Sequence, residues 1–202
     1  METKQKYLDY ILKIQAISKI GLKYTSDSYA IKNYLELQEL SQQMLQDFVQ
    51  MKLERPNYFA RDVYPTPNIS VRTVIFNEKN QVLLVREKSD HGFSLPGGWC
   101  DLYDSPQQAA LRECEEEAGA RVEITRLVGV TNRIPYLKKY ETPSYVIVFT
   151  AKVIEQKNVH DHEIEEVGYF DLDKLPPFSP KVTTEEMMRF INAAINGEVI
   201  YD

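Results

Sequence analysis

Over the first fifty residues, apolar side chains recur every three or four positions, which is the spacing of one face of an α-helix. The first pattern runs from residue 7 to about residue 24, and Gly21 is predicted to weaken or end this helix. A second pattern follows Ser26 and Asp27, both favoured at helix N-termini, and continues to Val49. The two patterns predict a helical hairpin.

From residue 69 onward, short apolar runs replace the helical spacing, and such runs are typical of β-strands. Strands are predicted over residues 69–76, 82–85, 124–131 and 145–153. A helix with clear limits lies between the second and third strands, with Asp104 or Ser105 as its N-cap and Gly119 at its end. A last helix is predicted over residues 184–196.

Three prolines between residues 55 and 68 restrict the backbone to extended conformations, as in a linker. The periodicity before this stretch is helical and the periodicity after it is that of strands. We therefore predict two domains, a helical domain over residues 1–63 and a larger α/β domain over residues 64–202.

Composition and charge exclude several classes of protein. The chain has 202 residues, of which 43% are hydrophobic and 27% charged, as in folded globular proteins. A formal net charge of −6 argues against DNA as a partner, because phosphate backbones bind clustered Lys and Arg. Charged residues interrupt every apolar run near the N-terminus, so neither a signal peptide nor a membrane partner is expected. The two cysteines, Cys100 and Cys114, form no disulfide framework and favour a cytoplasmic location.

Three glutamates on the helix between the second and third strands are candidate metal ligands. Glu113, Glu116 and Glu117 are spaced i, i+3 and i+4, so they share one face. Such carboxylates repel each other unless a cation lies between them, and Mg²⁺ and Mn²⁺ prefer hard oxygen ligands. The spacing also fits a solvated acidic face in which Arg112 pairs with Glu116. The preceding loop of residues 95–98, LPGG, favours the metal site, because glycines let the backbone approach a cation or phosphate closely.

This glycine loop and the helix together resemble the Nudix box, a family pattern of the form G-x5-E-x7-R-E-U-x-E-E-x-G-U with U apolar. The matching positions are Gly98, Asp104, Arg112, Glu113, Cys114, Glu116, Glu117 and Gly119. The chain departs from the pattern at Asp104, where the family has Glu, and at Ala120, which is small for the final apolar position.

The resemblance implies a fold, a cofactor and a set of ligands. The implied fold is an α/β/α sandwich with a mixed sheet (α+β), preceded here by the small helical hairpin. The implied cofactor is Mg²⁺ or Mn²⁺, with two or more ions per site. The implied ligands are Glu113, Glu116, Glu117 and the carbonyl group of Gly98, with Arg112 orienting the carboxylates.

The resemblance also places a general base in the acidic loop of residues 159–166. Glu163 is the first candidate and Glu166 the second. One of the box glutamates could serve instead, and the loop could be a solvated acidic turn.

Candidate substrate contacts lie before, within and after the box. They are Arg72, Arg86, Arg133, Phe93, Trp99, Asp101 and Tyr136. The arginines could hold phosphates or could be ordinary surface residues. The aromatic side chains could stack on a base or ribose, although aromatic residues more often belong to the core. Trp99 is preferred among them because it follows the glycine loop directly.

The hairpin is similar to the extra helical domain of a bacterial Nudix subgroup that includes pyrophosphatases acting on ADP-ribose or CDP-choline. In that subgroup the extra helices help to form a dimer, so a homodimer is expected, in agreement with an apolar stripe wider than one hairpin can bury. Two family cues on the substrate conflict, since Pro135 is associated with ADP-ribose hydrolases and Tyr136 with dinucleoside polyphosphate hydrolases.

The expected activity is that of a metal-dependent Nudix pyrophosphatase. It would hydrolyse a nucleoside diphosphate linked to another group, giving a nucleoside monophosphate and a phosphorylated second product. The alternatives are a ligand-sensing regulator without catalysis, an adaptor, or a hydrolase acting on dinucleoside polyphosphates or, as a secondary substrate, RNA. Residues 1–60 contain eight Lys or Arg against seven Asp or Glu, which does not favour a DNA-binding regulator. The intact glutamates of the box argue against the adaptor.

Overall fold

The computed structural model describes residues 2–49, 67–136, 144–157 and 159–202, and the chain divides into two compact units, 1–65 and 66–202. Each unit has buried apolar side chains of its own. The predicted linker lies, up to residue 66, outside the described residues. The predicted boundary between residues 63 and 64 falls there and stays a prediction.

The first unit is the predicted helical hairpin, with α1 over Glu2–Tyr24 and α2 over Ser28–Val49. The carboxylate of Asp27 caps α2, because it accepts a hydrogen bond of 2.7 Å from a backbone amide of the first turn. Gly21 lies inside α1 rather than ending it. A Cβ atom at Gly21 would lie 2.3 Å from the ring of Tyr34. The glycine therefore leaves the room that the tyrosine ring of α2 occupies.

None of the helices in the described parts of the chain combines the length and the apolar character that a membrane span requires.

The described residues of the second unit form two sheets and two helices. Its strands are β1 (Asn68–Ile75), β2 (Val82–Glu87), β3 (Phe93–Ser94), β4 (Ala120–Asn132), β5 (Ser144–Gln156), β6 (Ile164–Phe170) and β7 (Ile200–Tyr201). Its helices are α3 (Pro106–Ala118) and α4 (Thr184–Asn196), and a 3-10 turn covers Ile134–Tyr136. The short strands β3 and β7, with two residues each, were not predicted from the sequence.

The larger sheet has the strand order β1-β5-β4-β7 and contains both parallel and antiparallel pairs. The smaller sheet has the order β3-β2-β6. Its strand β6 carries one extra residue, Glu165, between the pairs Arg86↔Glu166 and Glu87↔Ile164. The parallel and antiparallel pairs of the larger sheet confirm the mixed sheet that the resemblance implies.

Alternation along β2 divides the core of the second unit into two layers. Val82 and Leu84 pack in the cluster that includes α4, whereas Leu83 and Val85 pack in the cluster that includes α3. The strands therefore lie between the two helices, which confirms the α/β/α sandwich. Helix α3, which carries the candidate carboxylates, covers the face of β2 that contains Leu83 and Val85.

Candidate active site

Local sequence fixes both ends of α3, the helix that positions the glutamates. The hydroxyl oxygen of Ser105 accepts a hydrogen bond from the amide of Gln108, whose side chain accepts one from the amide of Ser105. Gly119 ends the helix in the left-handed conformation, with a φ of 60°. Of the two predicted N-cap candidates, Ser105 is therefore the N-cap, and Asp104 precedes it.

The three glutamates of α3 differ in their exposure to solvent. Glu113 is 8% exposed, Glu117 is half-buried and Glu116 is exposed. Glu115, which lies between them in sequence, is exposed and pairs with Lys157 at 2.6 Å. Two of the three predicted metal ligands thus lie below the surface, where a charge without a counter-charge is unfavourable.

The glycine loop lies along the edge of β1. The amide of Val71 donates to the carbonyl of Gly98 at 2.8 Å, and the amide of Thr73 donates to the carbonyl of Pro96 at 2.9 Å. Gly97 has a φ of 148°, and a Cβ atom there would lie 2.1 Å from the carbonyl oxygen of Val71. This approach is open to glycine alone.

The same loop contacts the buried carboxylates. The amide of Gly97 donates a hydrogen bond of 2.8 Å to Oε2 of Glu117. A Cβ atom at Gly98 would lie 2.7 Å from Oε1 of Glu113, so the glycine leaves room for that carboxylate. The carbonyl oxygen of Gly98 has a second lone pair besides the one that accepts from Val71. Gly98, whose carbonyl group is the predicted ligand, therefore lies next to the carboxylate of Glu113.

Arg112 joins the helix to the loop. One of its terminal nitrogens lies 2.8 Å from Oε2 of Glu116 and 2.9 Å from Oε1 of Glu113. The other donates to the carbonyl oxygen of Trp99 at 3.2 Å, and Nε lies 3.6 Å from Asp104. The planar guanidinium group thus holds two carboxylates in fixed positions. This geometry supports the predicted orienting role of Arg112, which stays a prediction.

Burial makes two carboxylates of α3, those of Glu113 and Glu117, bind a proton more tightly than an ordinary glutamate does. It raises the pKa of Glu117 from 4.5 to about 8, although the charge of Arg72 and the Gly97 amide act in the opposite direction. Burial also raises the pKa of Glu113, although Arg112 lowers it. Both side chains therefore favour a neutralised state, which a proton or a bound cation can supply.

The donor groups at this site fit a hard divalent cation. Half-buried and buried carboxylates stand beside a backbone carbonyl, and oxygen is the ligand atom that Mg²⁺ and Mn²⁺ prefer. In the described part of the chain, no three His, Cys, Asp or Glu side chains already enclose a common point. Glu113 and Glu116 are turned to Arg112, and Glu117 is turned to Gly97.

The candidate arginines all have protein partners. Arg72 donates to the carbonyl of Leu95 at 2.8 Å and to that of Gly97, so it holds the glycine loop in place. Arg86 pairs with Glu165 and, at 2.9 Å, with Glu166. A partner of Arg133 is Glu186, which is almost fully buried, at 2.8 Å. A structural function is therefore evident for each, and phosphate binding by Arg72 or Arg86 stays a prediction.

The aromatic candidates lie in different environments. Phe93 is 5% exposed and packs against Phe170 in the core, with ring centroids 4.9 Å apart, so it is not placed to stack on a base. Trp99 is 40% exposed directly after the glycine loop. Tyr136 is half-buried and lies close enough to Arg189 of α4 to raise the pKa of that guanidinium group. Trp99 thus keeps the accessibility that stacking requires.

Asp101 is half-buried and lies between the glycine loop and α3. Its carbonyl oxygen accepts a hydrogen bond of 3.1 Å from the amide of Asp104. This bond forms the turn that leads into the helix. A contact between Asp101 and a substrate stays a prediction.

The loop that carries the candidate bases packs against the end of α3. The amide of Asp161 donates to the carbonyl oxygen of Glu116 at 2.6 Å. Glu163, two residues later, is exposed. The predicted loop of residues 159–166 ends earlier than expected, because Ile164 begins β6, and Glu166 lies in that strand with its side chain paired to Arg86. The loop is therefore connected to the helix of the carboxylates, and the assignment of a base to it stays a prediction.

Glu87, the last residue of β2, was not among the sequence candidates. Its side chain is 19% exposed, and its charge contributes to the raised pKa of Glu117. The available signal was alternation, because Glu87 follows Leu83 and Val85 on the face that α3 covers. A single acidic residue before a turn more often faces solvent, which is why it was missed.

Comparisons with known protein families match both units. A family model described as the NUDIX domain matches residues 66–191, and one described as a UDP-X-like, N-terminal oligomerisation domain matches residues 5–55. The Bacillus subtilis (strain 168) protein named "Putative ADP-ribose pyrophosphatase YjhB" is 32% identical over 194 residues, which cover 95% of this chain and 93% of that protein.

Solved structures agree with these matches. A crystal structure of UDP-X diphosphatase covers 98% of this chain and 98% of its own, with a TM-score of 0.65 and 25% identity. A crystal structure of an ADP-ribose pyrophosphatase from Streptococcus suis 89-1591 has a TM-score of 0.55 and 29% identity. This second likeness covers 67% of this chain and 98% of the other.

Proposed function

Because the chain belongs to the Nudix hydrolase family, we propose that it hydrolyses the pyrophosphate bond of a nucleoside diphosphate linked to a second group. The products are a nucleoside monophosphate and the phosphorylated second group. The observation that carries this proposal is the position of Glu113 and Glu117. Both lie against the glycine loop, below the surface, with pKa values raised by burial.

The residues that would hold Mg²⁺ or Mn²⁺, with two or more ions per site, are Glu113, Glu116, Glu117 and the carbonyl group of Gly98. Divalent ions bound there would neutralise phosphate charge and activate water. Arg112 keeps Glu113 and Glu116 in place, and the amide of Gly97 keeps Glu117 in place. These contacts fix the carboxylates before the substrate binds, as efficient electrostatic catalysis requires.

Glu163 is the proposed general base that removes a proton from the attacking water. Its carboxylate is exposed, in a loop anchored to the end of α3 through Asp161. Glu166, the second candidate, lies in β6, and its carboxylate is already engaged by Arg86 at 2.9 Å. The contacts therefore favour Glu163.

A pyrophosphate is common to ADP-ribose and UDP-X, the compounds for which the relatives described above are named. The B. subtilis and S. suis proteins are named for ADP-ribose, whereas the solved structure that spans both units is named for UDP-X. The class proposed here is therefore a nucleoside diphosphate joined to a second group, with CDP-choline as a further test compound. Trp99 is the proposed stacking residue for the base or sugar.

A homodimer is proposed on the basis of the first unit. The matching family model describes an oligomerisation domain, and the hairpin exposes a stripe of large apolar side chains. Seven-residue spacing along α1 places Tyr10, Ile17 and Tyr24 on one side of the helix, and Ile20 extends that side. Apolar stripes of this kind are characteristic of helices that pack against a second chain.

A cytoplasmic location is proposed from the state of the cysteines. Cys100 and Cys114 are both free thiols, and Cys114 lies on the buried face of α3. Reduced thiols are normal in the cytoplasm.

The reaction can be tested by incubating the protein with Mg²⁺ or Mn²⁺ and ADP-ribose, UDP-sugars, CDP-choline, diadenosine polyphosphates or a short RNA. Product masses identify the bond that is cleaved. E117Q should reduce turnover at least about 100-fold, because several kcal/mol of charge stabilisation are lost. E115Q is the matched control, because Glu115 is exposed on the same helix and should leave turnover unchanged.

Each outcome of this assay has a definite meaning. Metal-dependent release of a nucleoside monophosphate from one compound would establish the reaction and its substrate together. If the protein binds a compound but does not cleave it with either metal present, the catalytic proposal is overturned and the protein is a ligand sensor. Cleavage that E117Q leaves intact would show that the reaction does not use these carboxylates.

A further inference from the structure

Glu87 lies on the face of the smaller sheet that α3 covers. Along β2, Leu83 and Val85 pack in the cluster that contains Cys114 of α3, and Glu87 follows at the same two-residue interval. The extra residue at this end of the strand pair belongs to β6, so the alternation along β2 is not interrupted. Opposite Glu87 is Ile164, a member of the same cluster.

The carboxylates of Glu87 and Glu117 lie within electrostatic reach of each other. Ile164, which lies opposite Glu87, follows a loop in which the amide of Asp161 donates to the carbonyl oxygen of Glu116 at 2.6 Å. Glu87 therefore lies beside the end of α3 that carries Glu117, and the two negative charges repel each other. Only 19% of the Glu87 side chain is exposed, so solvent screens this repulsion incompletely. A positive charge between these groups would therefore stabilise the folded protein.

Lys181 supplies a positive charge at Glu87. Its ammonium group forms an ion pair with Oε2 of Glu87 and lies 3.2 Å from the hydroxyl of Ser89. That hydroxyl also donates to the Glu87 carboxylate at 3.1 Å. The Lys181 side chain is nevertheless 54% exposed, so it can leave Glu87 without disturbing the core.

The backbone of Lys181 is fixed even though its side chain is exposed. Its amide donates to the hydroxyl of Ser179 at 3.2 Å, and its carbonyl accepts from Arg133 at 2.9 Å. Ser179 itself is buried and donates to Asp90 at 2.7 Å. The main chain thus keeps a flexible ammonium group next to Glu87.

The ion pairs that hold the fold together are of a different type. Arg133 binds Glu186 through two nitrogens, and both side chains are largely buried. Arg112 likewise binds several acceptors at once. Lysine is a point charge on a flexible stem, so a lysine contact is more easily exchanged than a forked arginine contact.

We propose that Glu87 is a further cation-binding carboxylate of this active site, and that the ammonium group of Lys181 neutralises it until a divalent cation binds. The proposal rests on the proposed function for the identity of the site. Lys181 and the cation would then compete to neutralise the carboxylate of Glu87. Removing the carboxylate and removing the lysine should then change cation affinity in opposite directions.

The test is the dissociation constant of Mn²⁺ for the full chain, measured by electron paramagnetic resonance without substrate. E87Q keeps an oxygen that can accept from Lys181 but removes the negative charge, so Kd should rise about tenfold. K181Q removes the competing cation, so Kd should fall by about threefold to fivefold, the range of an exposed ion pair. Thermal unfolding of both variants measures any structural role separately.

The pair Glu115 and Lys157 provides matched controls. This exposed Lys–Glu pair includes a residue of α3, the helix that carries Glu113 and Glu117. E115Q and K157Q should therefore leave the Mn²⁺ affinity unchanged. Unchanged affinity in E87Q and K181Q, with a lowered Tm, would overturn the proposal and leave a purely structural ion pair. Weaker binding in K181Q would overturn it as well.

Failure of this proposal is distinguishable from failure of the proposed function. A wild-type protein that binds Mn²⁺ but cleaves no compound would contradict the hydrolase, while opposite affinity changes in E87Q and K181Q would still support the role of Glu87. A protein that cleaves a substrate but shows no affinity change in either variant would contradict Glu87 alone. Absence of Mn²⁺ binding by the wild type would overturn both.

Discussion

Neighbouring glycines of the loop have different functions, because different atoms lie where a side chain would be. At Gly97 the nearest atom is the backbone carbonyl oxygen of Val71, and φ is positive. At Gly98 the nearest atoms belong to the carboxylate of Glu113, the tip of a flexible side chain. A change at Gly97 should therefore disturb the fold, and a change at Gly98 should disturb the site.

Alanine substitutions should separate these two effects. G97A is expected to lower the free energy of unfolding by at least about 2 kcal/mol, because it combines backbone strain with a clash. G98A should change it by less than about 1 kcal/mol but weaken Mn²⁺ binding, because Glu113 must move. Urea unfolding and Mn²⁺ titration of both variants provide the comparison. Equal loss of stability in the two would contradict this assignment.

The pKa of Glu117 gives the metal-free protein a pH-dependent stability. Burial raises this pKa to about 8 in the folded protein, whereas the ordinary value is 4.5. The folded state therefore holds the proton more tightly than the unfolded state. The resulting stabilisation is complete below pH 4.5 and is lost as pH rises towards 8.

We expect the Tm in EDTA to fall between about pH 5 and about pH 8, and E117Q to remove most of this fall. Saturating Mg²⁺ should raise the Tm most at the upper end of this range, where it replaces the lost proton. The measurement is thermal unfolding across a pH series, with E115Q as the control. The same slope in E117Q and in the wild type would assign the effect to another group.

Among the elements, α3 is the one whose sequence signals were most complete. Ser105 and Gly119 each act through neighbours within a few residues, and for this reason the limits of α3 could be predicted. The strands β3 and β7 could not be predicted, since two residues become a strand only through a partner distant in sequence. Gly21 does not end α1, and its contact with Tyr34 could not be predicted because that residue belongs to another helix.

The capping box of α3 should contribute measurably to stability. S105A removes the acceptor for the amide of Gln108 and should lower the free energy of unfolding by about 1 kcal/mol. Q107A, at an exposed position of the first turn, should change it by less than about 0.5 kcal/mol. Chemical denaturation of the two variants tests the difference. A matching loss in Q107A would show that helix propensity, rather than the cap, is responsible.

The candidate site was predictable to the extent that its residues lie close together in the sequence. The glycine loop and the glutamates of α3 fall within about 25 residues, so their spacing, together with the resemblance to the Nudix box, predicted that they form one site. Glu87 and Lys181 come from separate parts of the chain and meet only in the folded protein. Arg133 and Phe93 were candidates by residue type, and their burial, which the sequence does not reveal, gave them structural functions.

At the scale of the whole molecule, the proposed dimer depends on the hairpin. I17E combined with I20E places two charges in the exposed apolar stripe and should convert a dimer into a monomer, because buried unpaired charges are strongly unfavourable. Sedimentation equilibrium measures the mass directly. S26E combined with Q42E adds the same charge at other exposed positions of the unit and should leave the dimer intact.

Two results would contradict this interface. A wild-type protein that sediments as a monomer at micromolar concentration would remove the proposed dimer. A dimer that persists in the I17E/I20E variant would assign the contact to another surface.

The extra residue of β6 has a consequence for the protein at high concentration. Strand β6 forms one edge of the smaller sheet, and an unprotected sheet edge can recruit strands from other molecules. Here the edge is bent by the extra Glu165, and both Glu165 and its neighbour Glu166 are charged. An added strand would meet an irregular register and negative charge. The residues that hold Arg86 therefore also protect the molecule from aggregating edge to edge.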